Sequence, residues 1–272
     1  MTTQNPVLVT VSYGGGINST ALLARLVEQN ARVDLILFAD TGGERPETYE
    51  YVSMFSAWLK QRGYPGITVV RYANRHGQAV SLEADCLRKH TLPSKAFGRP
   101  GCSLKWKAEP QEKFLNNYAP AKAVWDAGGR VVKILGFDAD EPHRVLRRVH
   151  EDAADTKYAY VYPLYAWGWG REECEEHIER AGLPSPGKSS CFFCPSMKKK
   201  EILHLADAHP DLLVRALDME AAAMDTPVGE RVSPPVESSK GLGRSFRWSE
   251  FLKGTMCDFS GAEDTPCGCY DG

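Results

Sequence analysis

The stretch that most constrains this chain is Ser12-Tyr13-Gly14-Gly15-Gly16-Ile17-Asn18-Ser19-Thr20, which follows the apolar run Val7 to Val11. The run is short and rich in β-branched residues, so it predicts a buried strand. Ala21 to Val27 then carries apolar residues at helical spacing, with Asn18 or Ser19 placed to cap the helix. Glycines between a strand and a helix N-terminus let the backbone approach a ligand closely. The N–H groups of the first helical turn favour an anion there. The stretch therefore reads as a phosphate cradle.

The chain that follows repeats the alternation. Val33 to Ala39 predicts a second strand, running into Asp40-Thr41-Gly42-Gly43-Glu44-Arg45, and Pro46 suits the first turn of a helix over Glu47 to Arg62. Ile67 to Tyr72 predicts a third strand. This is the pattern of an α/β fold with a doubly wound, mostly parallel sheet, whose ligands bind at the carboxyl ends of the strands. Both polar loops fall at such ends. Val131 to Leu135 predicts another strand, entering the polar loop Gly136 to Arg144. Tyr158 to Tyr162 predicts a further strand, and Arg171 to Ala181 a helix.

Between residues 74 and 104 periodicity fails, and Arg75, His76, Arg88, Lys89, His90, Lys95 and Arg99 make the segment basic. It reads as an active-site loop or lid, with a solvated basic surface as the alternative. Past residue 187, Lys198 to Ala208 and Asp211 to Met224 predict helices, and Ser245 to Lys253 a short one. The expected division is a nucleotide-binding domain over 1–187 and a helical, cysteine-bearing extension over 188–272.

A formal net charge of −2 gives no global case for a nucleic-acid binder and leaves room for a local basic patch. No apolar stretch approaches the roughly 20 residues that span a bilayer, and no secretory segment stands out, so a soluble cytoplasmic protein is expected. Eight cysteines without an export signal point to metal or redox roles rather than disulfides. Cys86 and Cys174 stand alone, and Cys174 reads as an inert thiol. The other six are Cys102, the Cys191/Cys194 pair, Cys257, Cys267 and Cys269.

Two glycine motifs are excluded. A P-loop ends in Gly-Lys-Ser/Thr and no lysine is present, and a dinucleotide fingerprint starting at Gly14 would need glycine or alanine where Ser19 stands. Gly14-Gly15-Gly16-Ile17-Asn18-Ser19 instead resembles the pyrophosphate loop, Ser-Gly-Gly-x-Asp-Ser, of the ATP-pyrophosphatase superfamily. Gly14 replaces its serine and Asn18 its aspartate, so one hydroxyl and one carboxylate are missing. Asp40-Thr41-Gly42 with Pro46-Glu47-Thr48 is similar to the second motif of the phosphoadenosine phosphosulfate (PAPS) reductase branch. Gly136 to Arg144 is similar to its third motif, and Pro163-Leu164 with Trp167 to a later element. The resemblance covers about residues 7–200 and implies an adenine nucleotide α-hydrolase-like fold.

It also implies site roles. Ser12, Gly14, Gly15, Gly16, Asn18 and Ser19 would hold the phosphates of ATP or a PAPS-like adenine nucleotide, with Mg2+ as a candidate companion. Asp40 and Thr41 would meet ribose, adenine or metal, Asp40 also being a catalytic candidate. Gly136 and Arg144 would complete the phosphate site. Asp138, Asp140 and Glu141 cannot be ranked from sequence.

Gly101-Cys102-Ser103-Leu104-Lys105-Trp106-Lys107 resembles the Cys-Cys-x-x-Arg-Lys segment of iron–sulfur adenylyl-sulfate reductases, and Cys191-x-x-Cys194 falls where their second pair lies. Gly101 leaves three thiolates, Cys102, Cys191 and Cys194, for a 4Fe–4S cluster, with zinc or unligated thiols as alternatives. Cys267-Gly268 echoes the centre of the reductases' C-terminal Glu-Cys-Gly-Leu-His, making Cys267 and Cys269 candidate catalytic thiols.

Three functions stay open. The first is ATP-dependent sulfur transfer to a nucleotide or nucleic acid, served by a sulfur donor. The second is a sulfonucleotide reductase releasing sulfite with a thioredoxin-like reductant. The third is a non-catalytic nucleotide-binding subunit of a nucleic-acid modification or defence complex. A homodimer stays open as the assembly.

Overall fold

The apolar run before the glycine loop forms β1 (Val9–Tyr13), and the computed structural model describes residues 6–227 and 240–259 of the chain around it. The other strands are β2 (Leu35–Asp40), β3 (Ile67–Arg71), β4 (Val131–Leu135) and β5 (Tyr158–Val161). They form one five-stranded parallel sheet in the order β3-β2-β1-β4-β5. Central strands of a parallel sheet are covered on both faces, so they read as unbroken apolar runs. Every residue of β2 is buried accordingly.

Helix α1 (Ile17–Glu28) returns from β1 and α2 (Pro46–Gln61) from β2, the second entered through Pro46 in its first turn. On one sheet face Val11, Ile36 and Ile134 pack with Leu22 of α1, Phe55 of α2 and Ile178 of the helix Arg171–Arg180. On the other, Leu35 and Leu37 pack with Leu115 and Val124 of the helices Glu109–Asn117 and Ala119–Asp126. The chain steps from β1 outward to β3, then returns to the far side of β1 for β4. The connections therefore diverge beyond the carboxyl ends of β1 and β4, which opens a crevice there.

The structure divides into two units. The first comprises the chain up to Ser81 together with Ser103–Cys191 and holds the whole sheet. The second comprises Leu82–Cys102 and the chain from Phe192. Most of the segment read as a lid falls in this second unit. Within it Leu82–Lys89 is a helix, and its sequence hides that because only Leu82, Glu83 and Cys86 are buried. Glu83 also takes a bidentate ion pair from Arg215 of the helix Pro210–Met224, at 2.9 and 2.6 Å.

The core of the second unit contains Phe192 and Phe193, edge-to-face at 4.7 Å, with Ile202, Leu205, Met219, Leu242 and Trp248. The Glu220 carboxylate, 1% exposed, accepts the backbone N–H groups of Leu242, Trp248 and Ser249 at 2.8, 2.9 and 3.0 Å. It thereby pins the loop ahead of the last described helix, Trp248–Phe259. Among the described residues no helix is long and apolar enough to cross a membrane.

Candidate functional site

The glycine loop leaves β1 at Tyr13 and enters α1 through Gly16, an extended N-cap that supplies no side-chain hydrogen bond. The N–H groups of the first turn therefore lack an internal acceptor, which is the condition for holding an anion. Gly15 has φ +74°, a conformation that suits glycine, and a Cβ there would lie 3.2 Å from Phe38 and Thr48. Ser19 works as a clip: its hydroxyl accepts the Gly14 N–H and donates to the Gly16 carbonyl, each at 3.1 Å. Ser189 adds a second clip by donating to the Gly14 carbonyl at 2.7 Å. Gly136, at the end of β4, comes so close to α1 that a Cβ would sit 3.3 Å from the Ser19 backbone.

The crevice beyond these strand ends is a cavity of about 460 Å³, within the range that takes a nucleotide-sized ligand. Ser12, Gly14, Gly16, Asn18, Ser19, Gly136 and Arg144 line it, so most of the residues expected from sequence come together. Arg144 lies in the first turn of the helix Pro142–Ala154, not in a loop, and its guanidinium lies 4.2 Å over the Phe137 ring. It also pairs with Glu141 at 2.6 Å.

Gly15, Asp40 and Thr41 do not line the cavity. The Asp40 carboxylate accepts from the Gly42 N–H at 2.7 Å, the Tyr49 hydroxyl at 2.8 Å and Arg71 Nε at 2.8 Å. It thus ties the end of β2 to α2 and β3. Burial, and then this carboxylate, push the Tyr49 phenol well above its ordinary range. Thr41 Oγ1 lies 3.1 Å from Cys191 Sγ and 3.5 Å from the buried Glu44 carboxylate.

Other residues enter the wall without a signal in the sequence. Ser12 donates to Gln111 Oε1 at 2.6 Å, and both line the crevice. Lys107 lines it too, with its amine 3.6 Å from Glu44. Lys107 and Gln111 stand four residues apart where a π-helical turn, Leu104–Ala108, runs into the helix Glu109–Asn117. Nothing local in the sequence marks the approach of Gln111 to a loop almost a hundred residues earlier.

The structure separates the three acids after β4. Asp138, 5% exposed, accepts from Asn18 Nδ2 at 2.5 Å, so a carboxylate stands beside the loop position where aspartate is missing. Asp140 caps the helix Arg171–Arg180 by accepting the Arg171 N–H at 2.7 Å. Glu141 holds Arg144.

The cysteines distribute between the units. Cys191 belongs to the first, and Cys102 and Cys194 to the second, where Cys102 Sγ lies 3.2 Å from Ser94 Oγ. Three thiolates are the donor set a soft metal site takes. Among the described residues, however, no three His, Cys, Asp or Glu side chains form a group that could hold a metal ion. The described side chains therefore do not by themselves make a metal cage. Cys267 and Cys269 lie outside the described residues.

A family model for the phosphoadenosine phosphosulfate reductase domain matches residues 8–185. Among solved structures, a similar chain is the U34-tRNA thiolase NcsA from Methanococcus maripaludis with its 4Fe–4S cluster. The two are 13% identical with a TM-score of 0.43, and the match covers 78% of this chain and 71% of that one. Comparison with curated proteins returns no match. The matched residues include the whole sheet and, apart from Ser189, every residue that lines the crevice. The chain belongs to the phosphoadenosine phosphosulfate reductase domain family.

Proposed function

We propose that the crevice holds the phosphates of an adenine nucleotide, ATP in the first instance, and that the protein uses it for sulfur transfer to a nucleotide or nucleic acid. The observation that carries this is the convergence of uncapped α1 N–H groups with Lys107 and Arg144 around one cavity. The loop N–H groups hold the β- and γ-phosphates. Lys107 and Arg144 offset charge as pyrophosphate leaves, a preorganised stabilisation of developing charge. An acceptor oxygen attacks the α-phosphorus, the bond to the pyrophosphate oxygen breaks, and the oxygen becomes bound to AMP. A sulfur nucleophile from a donor then forms the carbon–sulfur bond as AMP departs with that oxygen. Cys102, Cys191 and Cys194 are the thiols proposed to carry sulfur.

The test is equilibrium binding of ATP and PAPS to the full chain, followed by assays for AMP, pyrophosphate and sulfite. ATP binding that weakens at least tenfold in Arg144→Ala, a loss of about 1.4 kcal/mol, is the expected result. Absence of binding by either nucleotide would overturn the assignment. Family membership favours one second reading, a sulfonucleotide reductase. It requires sulfite release from PAPS or adenylyl sulfate that is lost in Cys267→Ser or Cys269→Ser. Tight binding with no turnover of any nucleotide would instead identify a nucleotide-binding subunit of a larger complex.

A further inference from the structure

The C-terminal unit contains a cavity of about 650 Å³, lined by its own residues. One wall is the turn carrying Phe97; the other is the loop Lys240-Gly241-Leu242-Gly243-Arg244-Ser245. Lys240, Arg244 and Ser245 all line it, so two cations and a hydroxyl share the cavity with an aromatic ring.

The loop is held rigidly. Leu242 is fully buried and its N–H is taken by Glu220, while the Lys240 N–H donates to the Arg244 carbonyl at 2.9 Å. Arg244 itself has φ +69°. A long side chain is costly in that left-handed region, and such strain clusters at ligand sites. Glycine would relieve it, yet the position carries a guanidinium. Exposed Arg99 follows the Phe97 turn, and the Lys199 amine lies 5.6 Å over the ring of Phe246, the residue after this loop. The basic surface thus extends past both ends of the cavity.

We propose that this cavity binds a phosphodiester of a single-stranded nucleic acid. Lys240, Arg244 and Ser245 take the phosphate, and a neighbouring base stacks on Phe97, the combination of cationic groove and aromatic platform that serves single strands. The site stands on the C-terminal unit alone. Its role as the acceptor's landing point rests on the sulfur transfer proposed above.

The experiment is fluorescence anisotropy of labelled single-stranded DNA and RNA oligonucleotides with the full chain across a salt series. Inorganic phosphate and ATP serve as competitors, and ATP binding is measured separately. Expected are affinity that falls linearly on a log–log salt plot and a loss of about tenfold in Arg244→Gly or Lys240→Ala. Each variant should also flatten the salt slope by about one. Arg244→Gly should keep or raise Tm, because glycine suits the positive φ, so loss of binding there is not loss of fold. ATP binding should not change in either variant. Oligonucleotide affinity that is absent, or equal in wild type and both variants, would overturn the site. So would competition by inorganic phosphate without oligonucleotide binding, which marks a small-anion site. Lost ATP binding with intact oligonucleotide binding would leave this site standing and remove the nucleotide assignment.

Discussion

Asn18 shows how a single departure from a motif can be compensated within the fold. Its amide donates to Asp138 at 2.5 Å, so the acid missing from the loop stands beside it, brought from the end of β4 across 120 positions of sequence. Asn18→Asp would face two carboxylates across that distance, one of them almost fully buried. Like charges so placed cannot both ionise at low cost. Asn18→Asp is expected to destabilise the protein by about 1–3 kcal/mol, and Asp138→Asn to do so by less. The exchange Asn18→Asp with Asp138→Asn should recover most of the loss. Urea unfolding of the four proteins checks this, and additive effects without recovery would mean that the two side chains do not act as a pair.

At the level of elements, the packing of Arg171–Arg180 against α1 carries a titratable group. His177 lies 5% exposed, its ring 5.0 Å from that of Trp169 and its Nε2 3.9 Å from Glu28 of α1. Burial holds the imidazole below its ordinary 6.5, with Arg180 and Arg25 adding to the effect and Glu28 opposing it. The sign follows from linkage: below about pH 6.5 the unfolded chain takes up a proton that the folded one resists. Stability should therefore fall as pH drops from that value, and His177→Phe should flatten the fall. Thermal melts across the pH 5–7.5 interval read this, a range of ordinary histidine titration. Superimposable profiles for the two proteins would sink it.

The same elements explain what could be read in advance. β2 was legible because an unbroken apolar run marks a strand buried on both faces of a parallel sheet, and the partly exposed edge strands β3 and β5 because β-branched and aromatic residues dominate them. The phosphate loop was legible because its parts are contiguous. Lys107, Gln111 and Ser189 were not, since each reaches the loop through tertiary approach alone. Asp40 shows how a strand-end carboxylate can be read in two ways. A polar residue ending a strand is as well suited to tying three elements together as to touching a ligand, and its hydrogen bonds to Gly42, Tyr49 and Arg71 are of the first kind. The helix Pro142–Ala154 escaped because its start, polar and entered by proline, reads equally as loop.

At the scale of the molecule, the cysteines among the described residues separate by environment. Cys86 and Cys174 are 3% and 0% exposed, and burial pushes the Cys174 thiol up to about 12. Cys102, Cys191 and Cys194 are partly exposed. Brief iodoacetamide treatment near pH 8, about the ordinary thiol pKa, should leave Cys86 and Cys174 unmodified and label Cys102, Cys191 and Cys194. Peptide mass spectrometry distinguishes the outcomes, and labelling of Cys174 at the rate of Cys191 would contradict the burial. The thiolate of Cys174 appears in the unfolded chain from about pH 9 and in the folded one only near 12, so its contribution to stability is lost as pH rises through that interval.

The return of Leu82–Cys102 to the C-terminal unit sets a timetable for the nascent chain. Glu83 leaves the ribosome well over a hundred residues before Arg215, its ion-pair partner. At 5–20 residues per second that interval is about ten seconds. Through it the amphipathic stretch Leu82–Lys89 has no helix Pro210–Met224 to cover it, while β1 to β5 can already pair. The helix Pro210–Met224, made later, closes over it, so for that interval its buried-to-be residues Leu82 and Cys86 lack this cover.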